Sequence, residues 1–401
     1  LNPWKGLGGL PRGVWILAGA TLLNRMGTMA LPFLALYLTR SLAFSPARAG
    51  EALLVYGAGS LLAAPMGGHL SDRIGPVRVM RGALLLAGFL MGAIPFARSW
   101  PLILLLVGLW SLSAEGFRPA NMAILTELAP ADRRKAVFSL NRLAINLGMS
   151  IGPLLGGLLA RHSFHALFWV DAGTALASAF VLAAFVPAEI ASPGSRPPSH
   201  PFSALKDRRL VLFLMVTFPV MVVFLQHASA MPVFLVNRLG FSPAFYGGLF
   251  SLNTGLILLL EVRLNLATAH WPSRATLAGG ALCCALGFGA LAFVHSALGI
   301  GLTVVVWTFG EMTLMPAMGD QVAHLAPPDR RGAYMGLYAM AIGAAFLVAP
   351  WLGLVVLGRA GGTALWRSMG ILGVLSAAGF WRWTALSAPG PTGGRPQAAI
   401  H

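Results

Sequence analysis

The sequence predicts an all-α polytopic membrane protein of twelve transmembrane helices in two six-helix, pseudo-symmetric halves. Three observations predict it: composition, a series of membrane-length apolar runs, and an internal repeat. Of 401 residues, 57% are hydrophobic and 10% charged, against roughly 25% charged in an ordinary soluble domain. Mean hydropathy is +0.76. A water-soluble enzyme of this composition could not cover its own surface, and so few charges also exclude a disordered chain.

A hydrocarbon core about 30 Å thick needs roughly 20 apolar residues per helical span. The first six runs are 14–39, 47–70, 76–97, 101–125, 136–160 and 165–186. The second six are 209–236, 243–265, 274–296, 298–322, 333–357 and 362–385. Run 14–39 is too long for a signal-peptide core and lacks a small-residue cleavage site, so it reads as a retained helix. Segment 187–208 is polar, carries five prolines and reads as a cytoplasmic linker. The expected units are therefore 1–186, the linker 187–208, and 209–401 with a short cytoplasmic tail.

Charge orients the bundle. With the N-terminus in the cytoplasm, 18 Lys and Arg fall on the cytoplasmic side, 7 outside and 3 within spans, making up the 28 in the chain. That excess places both termini inside, in a cytoplasmic or inner membrane. The net charge of +16 is thereby explained without a nucleic-acid partner. The adjacent Cys283 and Cys284 offer neither a disulfide framework nor metal spacing.

The halves repeat at one offset. Phe44-Ser45-Pro46-Ala47 returns as Phe241-Ser242-Pro243-Ala244, 197 residues later. Leu128-Ala129-Pro130-Ala131-Asp132-Arg133-Arg134 returns as Leu325-Ala326-Pro327-Pro328-Asp329-Arg330-Arg331, and Pro119 as Pro316, at the same 197. Parallel repeats with a site near the midplane are a transporter architecture.

Two motifs sharpen this. The loop Gly68-His69-Leu70-Ser71-Asp72-Arg73-Ile74-Gly75-Pro76-Val77-Arg78 resembles the G-x-L-a-D-r-x-G-r-k signature of the major facilitator superfamily. Gly148-Met149-Ser150-Ile151-Gly152-Pro153-Leu154-Leu155-Gly156-Gly157 resembles the G-x-x-x-G-P-x-x-G-G motif of its drug/proton antiporters. In the loop, Asp72 can cap the next helix or accept from Arg73 and Arg78, latching the cytoplasmic side. The resemblance adds Glu127 to this latch and implies a gate of Gly68, Asp72, Arg73, Gly75, Arg78 and Glu127. Pro76-Val77 stands where the family has two basic residues. Gly148, Gly152 and Gly156 form one stripe that lets another helix approach, and Pro153 can bend the helix at the contact between halves.

Ionisable groups at bilayer depth are costly and mark function. Arg25 lies mid-span one beside Asn24; Glu115 and Arg118 lie mid-span four, three residues apart; Gln226 and His227 lie in span seven; Glu311 lies mid-span ten. The resemblance puts spans one, four, seven and ten around the central cavity. Glu311 has no arginine within its own helix turn and is the first expected proton carrier; Glu115 and His227 follow. Asn24, Arg25, Arg118, Asn121 and Gln226 are the expected substrate-cavity residues. Arg142 is expected to reach Asp72, Glu127 or the interface. Asp171 and Glu261 are expected near span ends, and Asp320 in a second-half latch with Arg330 or Arg331. Trp110, Phe117, Phe224, Phe234 and Trp307 are candidates for an apolar lining.

Arg118-Pro119-Ala120-Asn121 is similar to an element in the fourth helix of proton-dependent oligopeptide transporters, and Arg25 with Tyr37-Leu38-Thr39 to their first helix. Their paired glutamates are absent, since Thr21, Leu22 and Asn24 stand there; drug antiporters usually carry an acid where this chain has Arg25. No phosphate-loop, zinc-protease or nucleophile-elbow motif occurs, so neither ATP-driven pumping, metal nor cofactor is expected. The expected function is secondary active transport of a small organic solute by a monomer in the bilayer, coupled to protons and running as efflux. A proton-coupled importer of peptide- or amino-acid-like solutes is the alternative, and a non-transporting sensor on the same scaffold a third.

Overall fold

A computed structural model describes residues 9–128, 134–187, 201–268, 270–327 and 330–387. Among these residues the regular structure is helical, with no strand. The helices are α1 (Arg12–Gly27), α2 (Ala30–Leu36), α3 (Pro46–Ile74), α4 (Pro76–Ala93), α5 (Trp100–Leu128), α6 (Arg134–His162), α7 (Phe164–Phe185), α8 (Arg208–Phe224), α9 (Ala230–Val233), α10 (Pro243–Ala267), α11 (Ser273–Ala290), α12 (Ala297–Leu325) and α13 (Arg331–Ser387).

Ten stretches among the described residues are long and apolar enough to cross a membrane. Two expected spans have no separate counterpart there. Span 274–296 folds as the 18-residue α11. Spans 333–357 and 362–385 are the two limbs of α13, which turns at Gly361, φ 83°, a conformation that glycine adopts without steric cost. The linker's residues 188–200 lie outside the described residues. Its end is a short turn, Pro201–Lys206, followed by Asp207, whose carboxylate accepts from the Arg209 N–H at 2.8 Å and caps α8.

Local chemistry explains the ends. Ser45, Ser163, Ser242 and Ser296 each accept a backbone N–H at a helix start. Gly75, φ 88°, turns α3 into α4, with Pro76 at the first helical position.

The 197-residue offset is visible in the backbone. The first span is broken at Thr28–Met29 and ends in a π-turn, Tyr37–Ser41. The seventh is broken by a 3-10 turn, Leu225–Ala228, and ends in a π-turn at Phe234–Arg238, where the offset puts it. Neither is the continuous helix that an apolar run suggests. Pro32 and Pro232, just beyond the breaks, supply no N–H to a preceding turn.

In the first half α5 packs on α3 and α4, while α1 lies against α6 and α7. In the second, α11 packs on α12 and α13, and α8 on α13. The two sets meet along α3 with α13 and α6 with α10, and where α2 touches α9. We call the end where α7 stops and α8 starts the linker end, and the opposite one the far end. One apolar core runs through both sets and includes α2, α9 and the π-turns at the far end. A second core, Leu10 to Val186, belongs to the first half alone. The halves thus share an apolar core at the far end, where Phe33 meets Tyr246 edge-on at 5.3 Å, and at its exposed edge Asn237 donates to Thr39 at 3.0 Å.

Candidate functional site

The first half assembles a charged group at mid-depth. Glu115 on α5 accepts from the Tyr56 hydroxyl of α3 at 3.2 Å, and its other oxygen pairs with Arg118 at 3.2 Å. Their spacing of three residues puts both on one helix face. The Arg118 side chain is 67% exposed and that of Glu115 only 16%, so the guanidinium faces open space and the carboxylate is tucked beneath it. Arg25, on α1, lies within electrostatic reach of Glu115, Arg118, Tyr56 and Asp171, and its Nε is enclosed without a hydrogen-bond partner. Asn24 is half-buried one position earlier. Asn121 donates to Asn141 of α6 at 3.2 Å, and both are buried.

Sequence reasoning missed Asp171. It lies two turns from the start of α7 and is buried, and its Oδ2 accepts from the Ala30 N–H at 3.0 Å, with the Met29 N–H also in reach. Those N–H groups are orphaned where α1 stops and α2 starts, so a carboxylate from α7 caps a broken helix across the bundle. An acid inside an apolar run was the available signal; its partner, 141 residues away, was not legible.

The second half builds a different group. Glu311 on α12 accepts from the Asn253 amide of α10 at 2.8 Å, and the same amide donates to Thr308 at 3.0 Å. Glu311 makes no ion pair among the described residues. His227 points its Nδ1 to the Phe224 carbonyl at 2.7 Å and sits among the rings of Phe224, Phe250 and Trp307, 4.6–5.7 Å away. Of the other aromatic candidates, Trp110 meets Tyr56, Phe117 is buried in the first-half core, and Phe234 packs on Trp366. No hydrogen bond or ion pair joins the first-half group to Glu311 among the described residues.

Three expectations are corrected, for Gln226, Arg142 and Asp320, and that for the glycine stripe gains its partner. Gln226 does not line open space: it is fully buried, and its amide donates to the Val222 and Ala349 carbonyls at 3.0 and 2.9 Å, tying the break in span seven to α13. The Gly148–Gly152–Gly156 stripe packs on the first span of its own half. A Cβ on Gly152 would stand 2.8 Å from the Met26 carbonyl, and one on Gly156 2.8 Å from Met29; Gly148 faces Arg25. The same helix also makes the contact between halves, through Gly157 and the Pro153 carbonyl against Pro243–Gly247. Arg142 pairs with Glu261 of α10 at 2.8 Å, not with Asp72 or Glu127, because α6 packs on α10 and not on α3. Asp320 pairs with His324 one turn on, at 3.4 Å.

The residues of the 68–78 loop make few contacts here. Asp72, Arg73 and Arg78 are exposed; Asp72 has no hydrogen bond or ion pair among the described residues, and Arg78 donates to the Ile74 carbonyl at 3.2 Å. Gly75 makes the turn, Gly68 lies about two turns before it on α3, and Glu127 is exposed at the end of α5.

At the linker end a cavity of about 870 Å³ lies between α6, α10 and α12 and includes Arg142, Glu261, Thr313 and Asp320. Among the described residues no group of three or more His, Cys, Asp or Glu could hold a metal ion.

A family model described as Major Facilitator Superfamily matches residues 17–350. An uncharacterized MFS-type transporter, YqjV of Bacillus subtilis, is 26% identical over 88% of this chain and 87% of its own length. The multidrug resistance protein MdtH of Aeromonas hydrophila is 23% identical over 88% and 94%. Among solved structures, a peptide transporter POT superposes with a TM-score of 0.81 at 16% identity, covering 96% of this chain and 98% of that one. The nucleoside transporter NupG gives 0.82 at 13%, covering 93% and 99%. These two share the fold. The chain belongs to the major facilitator superfamily: it is a multi-pass membrane transporter of small molecules, not an enzyme.

Proposed function

We propose that this transporter is a proton-coupled secondary carrier that exports a small organic solute by alternating access, in the manner of a drug/proton antiporter. It works as a monomer in the cytoplasmic membrane, with twelve spans and both termini inside. Residues 1–186 and 209–401 are the rocking bundles, and the loop Gly68–Arg78 is a gate that closes when Asp72 finds a partner. The observation that carries the reading is Glu311: a mid-depth carboxylate whose bonded partner is the neutral Asn253 amide. It can take up and release a proton without breaking an ion pair, whereas Glu115 is tied to Arg118. Binding of solute and proton then bias the same two states in opposite senses.

Glu311→Gln should abolish solute movement driven by a pH gradient in proteoliposomes. Protein yield and solute counterflow without a gradient should be retained. Unchanged pH-driven flux in this variant would reject Glu311 as the carrier.

A second reading, import of peptide- or amino-acid-like solutes with protons, is favoured by the exposed Arg118 beside Arg25, a ready partner for a solute carboxylate. Zwitterionic solutes that raise the thermal stability of the purified protein, where lipophilic cations do not, would select it. A sensor that moves nothing is the third reading, and any solute flux in reconstituted vesicles removes it.

A further inference from the structure

The far end holds a second cavity, unrelated to the mid-depth groups. Its volume is about 570 Å³, and its walls come from the end of the first span (Arg40, Ser41), the α6–α7 junction (Ala160 to His165) and the turn into α10 (Gly240 to Pro243). Four basic side chains stand in that lining, Arg40, Arg161, His162 and His165, and no Asp or Glu does. None of the four makes a hydrogen bond or ion pair among the described residues, although His165 packs on the Tyr37 and Trp169 rings. Some cations elsewhere in this molecule have partners: Arg118 has Glu115, Arg142 has Glu261, and Arg48 lies over the Phe44 and Trp100 rings. The two guanidinium charges, Arg40 and Arg161, gathered in one concave site repel one another, and an anion between them relieves that repulsion.

The cavity is also composite. Residues 40–41 and 160–165 belong to the first half and 240–243 to the second, so it exists in this form only while the halves meet at the far end. Gly157, about one turn before Arg161 on α6, already lies against Pro243 and Ala244. Ser163 and Ser242 cap α7 and α10 at the cavity wall, so two long helices turn their positive ends the same way.

We propose that this cavity binds a phosphate-type oxyanion, supplied either by the headgroup of an anionic lipid at the membrane surface or by free phosphate. Its occupant bridges the two arginines to the second-half turn and stabilises the state closed at the far end. Arginine forks and phosphate oxygens match in geometry, and a basic pocket between helices at headgroup level is suited to a phospholipid head. The site shares no lining residue with the groups around Glu115 and Glu311 and serves as a latch on conformation, so it rests on the alternating-access reading but not on which solute is carried or on proton coupling.

The test uses the full chain in phosphate-free maltoside micelles. Inorganic phosphate, titrated against chloride at matched ionic strength, should raise the thermal midpoint saturably. Arg40→Gln or Arg161→Gln should each raise the apparent Kd about tenfold, and the double variant should lose the response. Arg238→Gln removes an exposed far-end charge outside the lining and should respond as wild type. Phosphatidylglycerol added to the micelles separates the two sources. A headgroup occupant stabilises wild type over the double variant and abolishes the further effect of phosphate; a free-phosphate site leaves the phosphate response intact. If wild type and double variant respond alike to both phosphate and phosphatidylglycerol, the proposal is wrong.

Discussion

The helix pairs α3–α5 and α10–α12 occupy the same place in the two repeats and pack differently. In the first half glycines let the helices touch: a Cβ on Gly59 would stand 2.8 Å from the Gly108 carbonyl, and one on Gly67 2.8 Å from that of Gly116. At the offset of 197 these four glycines become Leu256, Leu264, Val305 and Thr313. The bulkier set holds α10 and α12 apart toward the linker end, where the 870 Å³ cavity opens and Thr313 is part of its wall. The polar groups follow the same division. Tyr56 and its counterpart Asn253 each donate to a carboxylate on the neighbouring helix, Glu115 in one case and Glu311 in the other. The first carboxylate is ion-paired and closely enclosed. The second is bonded to an amide, with a crevice beginning half a turn below it on α12 at Thr313 and running on to Asp320. One duplicated scaffold has thus become a tight half that balances charge and a looser half that leaves one acid without a counter-ion.

The largest expected effect comes from making the tight half resemble the loose one. Gly67→Leu drives a side chain against the Gly116 carbonyl and the Pro119 ring, 2.8 and 2.9 Å from where its Cβ must lie. Backbone cannot yield as a side-chain tip can, so the cost is about 3 kcal/mol. The variant should lose its monodisperse peak in size-exclusion chromatography. A normal peak would mean that glycine does not set the spacing of α3 and α5.

Asp171 sharpens the comparison at the next level. Its repeat counterpart is Ser368, whose hydroxyl bonds to the Leu365 carbonyl of its own helix at 2.7 Å. The break in span one is therefore capped by a carboxylate from α7, while the break in span seven is held by Gln226 reaching α13. Asp171→Ala strands the Ala30 N–H in a buried site and should cost about 2 kcal/mol, lowering the thermal midpoint by several degrees. Ser368→Ala should cost under about 0.5 kcal/mol. Equal losses from the two substitutions would show that the carboxylate has no special hold on the first span.

Much of this fold was legible in the sequence, because bilayer length and a constant 197-residue offset act along one dimension. The runs fell on helical segments, though two share α13 and the first and seventh are broken, the offset recurred in caps and π-turns, and Glu115–Arg118 could be paired by spacing alone. What failed was orientation between distant elements. Gln226 looked like a cavity group since it is polar at mid-depth, but a helix break turns its amide into the contact with α13. The glycine stripe was correctly read as a close approach, yet nothing in its own spacing says which helix approaches. Arg142 and Glu261, 119 residues apart, could be matched only once α6 was known to lie on α10.

That pair offers the smallest effect and a direct test of how the linker end is closed. On the α6–α10 flank the ion pair spans the two halves at 2.8 Å; near the end of α3 Asp72 is exposed with no ionic partner among the described residues. Glu261 is enclosed, its side chain 14% exposed, whereas Arg142 is 66% exposed. A pair with one end in solvent gains little, so a double-mutant cycle on Arg142→Gln and Glu261→Gln should give a coupling of about 0.5–1 kcal/mol in thermal stability. A clasp that weak can open within a transport cycle, and the looser half can part from α6 without unfolding. A measured coupling above about 2 kcal/mol would make the pair a fixed strut, and the crevice beneath Glu311 would then be sealed on that flank instead of gated by it.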